Sequence, residues 1–210
     1  MQLLTEPYLA QRARWPAEGR VVLAQADATS VIVYQAYRPA VGHFAAQHGW
    51  FGGEFSLNRM TWIKPNFLWM MYRSSWGTAH NQEVVLAVRM RREAFDHVLA
   101  TAVHSQFDAE RYDSQEHWQK RVAGSDVRLQ WDPDHAPGGA PQARRAVQLG
   151  MRGAAARSYS RDWLLGIEDI SPFVAEQRAH VAAGALDRLV TPREEPYPIA
   201  AETARHLGID

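Results

Sequence analysis

The densest chemistry in the chain lies between residues 59 and 76, RMTWIKPNFLWMMYRSSW. Lys64 stands where an extended segment gives way to Pro65 and a helix. A lysine there can contact a phosphate, because a helix N-terminus adds its dipole and free amides. Its plain alternative is a surface side chain that snorkels to water. On the helix that follows, Trp69, Tyr72, Arg73 and Trp76 fall at i, i+3, i+4 and i+7 and share a face. Phe67, Leu68, Met70 and Met71 cover most of the rest, and a helix apolar nearly all round must be largely buried. Arg73 would then need a buried partner, since an unpaired charge is expensive. An Arg beside Tyr and Trp in a dry setting is also the combination that grips a phosphate, a carboxylate or a flat base.

Two further stretches carry polar groups on strands. In VYQAYR, residues 33–38, Gln35 and Tyr37 share one face, while Tyr34, Ala36 and Arg38 share the other. A glutamine in a strand rich in Val and Ile must be hydrogen-bonded, either to protein or to a ligand. In RLQWD and RRAVQLG, Gln130 and Gln148 lie near strand ends with Arg128, Arg144 and Arg145 close by. Paired strands with exposed arginines explain that pattern without a ligand.

The remaining composition narrows the chemistry. The chain has no Cys, so disulfides, thiolate nucleophiles and Cys-ligated metals are excluded. No phosphate loop, GxGxxG, HExxH or GxSxG is present. The nine His are scattered without ligand spacing, and no metal is expected. Asp132, Asp134 and His135 form a DPDH stretch that reads as a turn. Basic and acidic residues number 23 each, which argues against a protein that chiefly coats nucleic acid, although a local basic groove is compatible with neutrality. All but two of those basic residues are Arg; the exceptions are Lys64 and Lys120. No apolar run is long enough for a membrane helix, and the N-terminus lacks the pattern of a secretory signal, so the expected setting is cytoplasmic with no membrane partner.

The elements that must position these groups follow from periodicity and punctuation. Strands are expected over 29–37, 59–64, 83–90, 127–131 and 144–150, with a short extended IEDIS after residue 166. Helices are expected over 39–49, 66–76, 92–104, part of 105–126, 153–166 and 172–189. Residues 50–58 and 132–143 read as loops. The fold class is α+β, with a mixed or antiparallel central sheet flanked by helices. A single domain spans residues 29–200, preceded by an arm over 1–28 and followed by a tail over 201–210.

Taken together, these stretches resemble the domain of unknown function 4291 family. The resemblance rests on VYQAY at 33–37, MTWIKPNFLWMMYRSSW at 60–76, Gln82 and Glu83 before a strand, VRLQWDP at 127–133, and the strand carrying Arg145, Gln148 and Gly150. It covers roughly residues 29–200 and departs from the family's pattern at Arg38. The family name implies no activity. The order of elements is also similar to that of the mono- and poly-ADP-ribosyltransferase fold. That resemblance implies a polar residue on the first strand for the NAD ribose, an aromatic residue on the next strand for nicotinamide, and an acidic residue on a late strand. Gln35 or Tyr37, Trp62 and Gln148 would take those places. Gln148 is an amide and cannot supply charge to an oxocarbenium-like transition state. Glu83 or Asp132 would have to supply it, or the site would bind a nucleotide without transferring ADP-ribose.

The leading expectation is therefore a nucleotide-utilising enzyme, most concretely an NAD-binding ADP-ribosyltransferase-like protein. Gln35, Tyr37 and Gln148 are its expected catalytic residues. Trp62, Lys64, Trp69, Tyr72, Arg73 and Arg145 are expected to bind NAD or an NAD-derived small molecule, with a nucleic acid as one conceivable acceptor. The alternatives are a protein that binds or modifies RNA or DNA by stacking bases on the Trp- and Arg-rich segment, and a non-catalytic interaction module that uses some of its eight Trp as interface anchors.

Overall fold

The computed structural model describes residues 3–209. In chain order the elements are β1 (Thr5–Pro7), α1 (Tyr8–Arg12), β2 (Gly19–Arg20), β3 (Leu23–Ala24), β4 (Ser30–Tyr37), α2 (Pro39–His48), β5 (Thr61–Ile63), α3 (Phe67–Ser74), β6 (Val84–Arg91), α4 (Arg92–Thr101) and β7 (Val103–His104). There follow α5 (Gln115–Gly124), β8 (Val127–His135), β9 (Pro141–Met151), α6 (Gly153–Ser160), β10 (Leu164–Asp169), α7 (Ser171–Ala182), β11 (Val190–Pro192), β12 (Glu195–Pro196) and α8 (Ala201–Leu207). The α+β class expected from periodicity is what the chain forms.

Two principal sheets take the place of one central sheet. The first is antiparallel, in the order β10-β6-β4. The second runs β2-β9-β8-β7, with β5 also paired to β9. It is mixed, because β2–β9 and β7–β8 are parallel while β8–β9 and β5–β9 are antiparallel. Alternation along each strand builds the layers. Val31 and Val33 of β4 join Leu129, Val147 and Leu149 of the second sheet in the larger core. Ile32 and Tyr34 turn the other way, into a second core made with Phe67, Leu68, Met70 and Met71 of α3. Tyr8, Trp15 and Leu23 from the first 28 residues are buried in that second core, and β1 pairs with β11 near the other end of the chain.

Local sequence explains where several elements stop. Pro39 opens α2, and Gly49 closes it in the left-handed region at φ 74°. Gly42 in the same helix lies so close to Val84 of β6 that a Cβ would meet the valine Cβ at 2.5 Å. Asn66 caps α3 by accepting the Trp69 amide at 2.6 Å. That helix ends at Ser74, two residues short of expectation, because Ser75 and Trp76 both adopt positive φ. Trp76 therefore leaves the helical face and packs edge-on against Phe67, its indole N–H donating to the Pro137 carbonyl.

Other boundaries also shift. The stretch read as a loop over 132–143 is largely strand: β8 continues to His135 and β9 begins at Pro141. Asp132 pairs with Ala146 and Asp134 lies at the register shift between Pro133 and His135, so the DPDH stretch is strand and not a turn. The helix expected to reach residue 104 stops at Thr101, because Val103 and His104 pair with β8 instead. Likewise α6 and α7 end earlier than their periodicity suggested, at Ser160 and Ala182.

Candidate functional site

The strand register divides the expected site residues into two groups on opposite sides of β5. Thr61 and Ile63 face the larger core, whereas Trp62 and Lys64 face outward toward α3.

On the core side lies a closed polar network. The Gln35 amide nitrogen donates to Tyr37 Oη at 2.7 Å, Thr61 Oγ1 at 2.8 Å and the Trp62 carbonyl at 3.1 Å. Its Oε1 accepts from Tyr159 Oη at 2.6 Å. Tyr37 Oη and Thr61 Oγ1 are also 2.9 Å apart. Gln35 thus has its donors and its carbonyl engaged by protein groups, as a buried glutamine requires. Burial pushes the Tyr37 hydroxyl above the usual phenol range and raises that of Tyr159 as well. Both phenols stay protonated and serve as hydrogen-bonding groups.

On the outward side the second sheet presents a polar face. Trp62 pairs with Gly150, which in turn pairs with Arg128. A Cβ on residue 150 would meet the Trp62 ring at 2.9 Å, so glycine lets the indole lie across β9. One step along, Gln148 pairs with Gln130. Both glutamines donate to Asp132, Gln130 to Oδ1 at 2.9 Å and Gln148 to Oδ2 at 2.8 Å. One half-buried carboxylate is thus held on both oxygens. Further along the face, buried Asp134 and Arg144 form an ion pair, and Arg144 also donates to the Pro16 carbonyl.

Helix α3 forms the opposite wall. Trp69 is buried, while Tyr72 is 49% exposed and stacks on the His135 ring at 3.4 Å. Lys64 is only 5% exposed, and its Nζ lies 5.8 Å from the centre of the Trp69 ring. Among the described residues Lys64 Nζ makes no hydrogen bond and no ion pair. Burial, reinforced by the Arg73 charge and opposed by Asp132, pulls its ammonium down to about 7. His135 is also shifted down by burial. Five buried side-chain polar atoms lack a partner among the described residues, and four cluster around this helix: Tyr34 Oη, Asn66 Nδ2, Trp69 Nε1 and His135 Nδ1. Native interiors leave few such groups.

The sequence expectation for Arg73 needs correction. It lies exposed on the rim, with a long 3.4 Å hydrogen bond to Gln82, because α3 is short and its Arg73 side projects past the second core. It therefore needs no buried counter-ion. Trp62, Lys64, Trp69, Tyr72, Arg73 and Gln148 lie near one another on the side of β5, β9 and β8 that α3 packs against. Arg145 does not join them. It is exposed, pairs with Pro133, and by alternation points to the opposite face from Gln148.

A family model described as Domain of unknown function (DUF4291) matches residues 21–197. The chain belongs to this family. The DUF4291 span contains both the α3-facing residues and the closed Gln35 network. It also contains Glu194, a buried acid whose Oε1 accepts the Phe67 amide at 2.6 Å at the start of α3. Burial raises that carboxyl well above the usual range. No curated protein matches the chain. Among the described residues of this DUF4291 member, no three His, Asp or Glu side chains are grouped to hold a metal ion, and no helix is long and apolar enough to cross a membrane.

Sequence reasoning missed Thr61, Tyr159 and Glu194. Thr61 had a readable signal, a polar residue alternating with inward-facing Ile63. Tyr159 and Glu194 had none, because only the tertiary fold brings them to Gln35 and α3.

Proposed function

We propose that the chain is a nucleotide-utilising enzyme whose ligand occupies the cleft between α3 and the outward face of β5, β9 and β8. Its most concrete form is an NAD-binding, ADP-ribosyltransferase-like protein. The observation that carries this reading is Lys64, a nearly buried side chain whose amine has no partner among the described residues and lies close to the Arg73 charge. These two donors suit a pyrophosphate, while Trp62 and Tyr72 offer flat surfaces to a base or a nicotinamide ring.

The elements β4, α2, β5, α3 and β6 follow one another as strand, helix, aromatic strand, helix and strand, an order that supports the ADP-ribosyltransferase reading. Within that reading Asp132 carries the negative charge that Gln148 lacks. Gln148 and Gln130 orient it, and Gln35 with Tyr37 and Thr61 fixes β5 from behind.

Thermal unfolding with NAD, ADP-ribose, ATP and inorganic pyrophosphate tests this reading. At about 100 times the dissociation constant a ligand adds about 2.7 kcal/mol, which is readable as a shifted midpoint. NAD or ADP-ribose should raise the midpoint, and Lys64→Met should remove the rise. A midpoint that none of the four ligands moves would refute the assignment.

A further inference from the structure

We infer that Lys64 is a covalent nucleophile, its amine forming an imine with the aldehyde of an open-chain sugar phosphate held in the same cleft. The inference rests on the nucleotide reading above and adds the substrate class, reducing sugars that carry a phosphate or pyrophosphate.

Four observations converge on it. The Lys64 side chain is almost wholly buried, yet its amine is spent on no hydrogen bond or ion pair among the described residues. A lysine kept only for packing would be cheaper as Met, and one kept only for charge would be paired. Burial and the neighbouring Arg73 leave a large fraction of the amine unprotonated near neutral pH, the form that attacks a carbonyl. A carboxylate close enough to Lys64 for their charges to interact stands at Asp132, held on both oxygens by Gln130 and Gln148 and therefore fixed in orientation. Arg73, exposed close to Lys64, is a donor for the phosphate end.

The bonds balance without an oxidant or reductant. The Nζ lone pair forms a bond to the aldehyde carbon while the carbonyl π pair moves to oxygen. Asp132 takes a proton from nitrogen and returns one to the oxygen, giving a carbinolamine. The Asp132 carboxyl, protonated, then gives its proton to the carbinolamine hydroxyl, which leaves as water while the nitrogen lone pair forms the C=N bond, and the carboxylate so formed takes the remaining N–H proton from the iminium. The sum is amine plus aldehyde giving imine plus water.

The chain supplies its own control, because its only other lysine, Lys120, is exposed on α5. The whole protein is incubated at pH 7 with ADP-ribose or, separately, ribose 5-phosphate, each with sodium cyanoborohydride, then analysed by intact mass and peptide mapping. The expected result is a single reduced adduct on Lys64, formed at least tenfold faster than any on Lys120. NAD, which has no free aldehyde, should suppress it. Parallel thermal unfolding separates the two claims. A midpoint raised by ADP-ribose with no adduct at Lys64, or with equal labelling of both lysines, overturns the imine and leaves the nucleotide reading standing. Selective trapping of ribose 5-phosphate at Lys64, with no shift from any nucleotide, supports the imine and overturns the nucleotide. Neither shift nor adduct overturns both.

Discussion

Gln148 and Asp132 meet diagonally across the β8–β9 ladder, and the glutamine donates its amide N–H to the carboxylate at 2.8 Å. An amide at 148 is a donor, so the negative charge of this face sits one rung away on the neighbouring strand. Gln148→Glu should set two carboxylates within hydrogen-bond distance, where both cannot ionise together. The introduced acid should titrate above its unfolded value. Its penalty is then absent at low pH and grows as pH rises through roughly 4 to 6, reaching about 1–3 kcal/mol. Urea melts of this variant and the parent at pH 3.5 and pH 7.5 measure the difference. Equal losses at both pH values would show that the pair is not coupled.

Lys64 gives a pH dependence of the opposite origin. Its ammonium is held near 7 in the folded chain, against 10.5 for a free lysine, by burial and Arg73 against the pull of Asp132. As pH falls from 10.5 toward 7, the unfolded chain takes up the proton first, so this residue costs stability across that window and by a constant amount below it. Lys64→Met should therefore stabilise the ligand-free protein by roughly 5 kcal/mol below pH 7, with the gain fading toward pH 10.5. Paired denaturant melts from pH 6 to pH 10 check the sign and the window. A gain that is flat with pH would contradict the buried-amine description.

The Gln35 network should behave as one unit. Gln35→Leu strands the Tyr159 hydroxyl in the interior and leaves Tyr37 Oη and Thr61 Oγ1 with only each other. The expected cost is about 2–4 kcal/mol. Tyr159→Phe alone should cost about 1–2 kcal/mol, and the double variant should lose clearly less than the two single losses combined. Strict additivity in a double-mutant cycle would mean that the network is not cooperative.

Helix α2 has no room for a side chain at Gly42, where a methyl group would run into Val84. Gly42→Ala should destabilise by about 1–3 kcal/mol through overpacking, despite its better helix propensity. Val84→Ala in the same chain should recover part of that loss. Thermal melts of the two single variants and the double variant test the contact. A double variant less stable than either single one would rule it out.

Acid should act through His104, which is buried against Tyr112 Oη and the Leu207 carbonyl. Burial lowers its imidazolium to about 4 from 6.5. Stability should therefore fall as pH drops from 6.5 toward 4, because only the unfolded chain is protonated in that interval. His104→Gln should flatten the decline, as read by melting midpoints at pH 7, 6, 5 and 4.

Much of this architecture was legible in the residues. The run SVIVYQAY could hardly be anything but a strand, and Pro39 with Gly49 bracketed α2. The cleft residues on and before α3 were findable because aromatic and basic types crowd into 18 positions. The division of the site was not legible, because it depends on which face of β5 each residue takes once β9 has fixed the register. Gln35 and Lys64 look equally functional in sequence; only the fold gives one a full set of partners and the other none. The ends of α3 and α4 escaped for a related reason. Propensity favours continuing both helices, and tertiary bonds to Pro137 and β8 decide otherwise.

The amine at the heart of the cleft also belongs to the stitch between the two sheets. The Tyr34 amide donates to the Lys64 carbonyl at 2.7 Å, and the Lys64 amide returns a bond to Tyr34 at 3.2 Å, an isolated bridge joining β4 to the end of β5. Any molecule that grips Lys64 from the cleft side therefore pulls on a seam, with the Gln35 network on its far side as an anchor. The side chain becomes a lever and the two bridging amides its gauge. Hydrogen exchange at Tyr34 and Lys64 would register a bound ligand as a tightening or loosening of that seam.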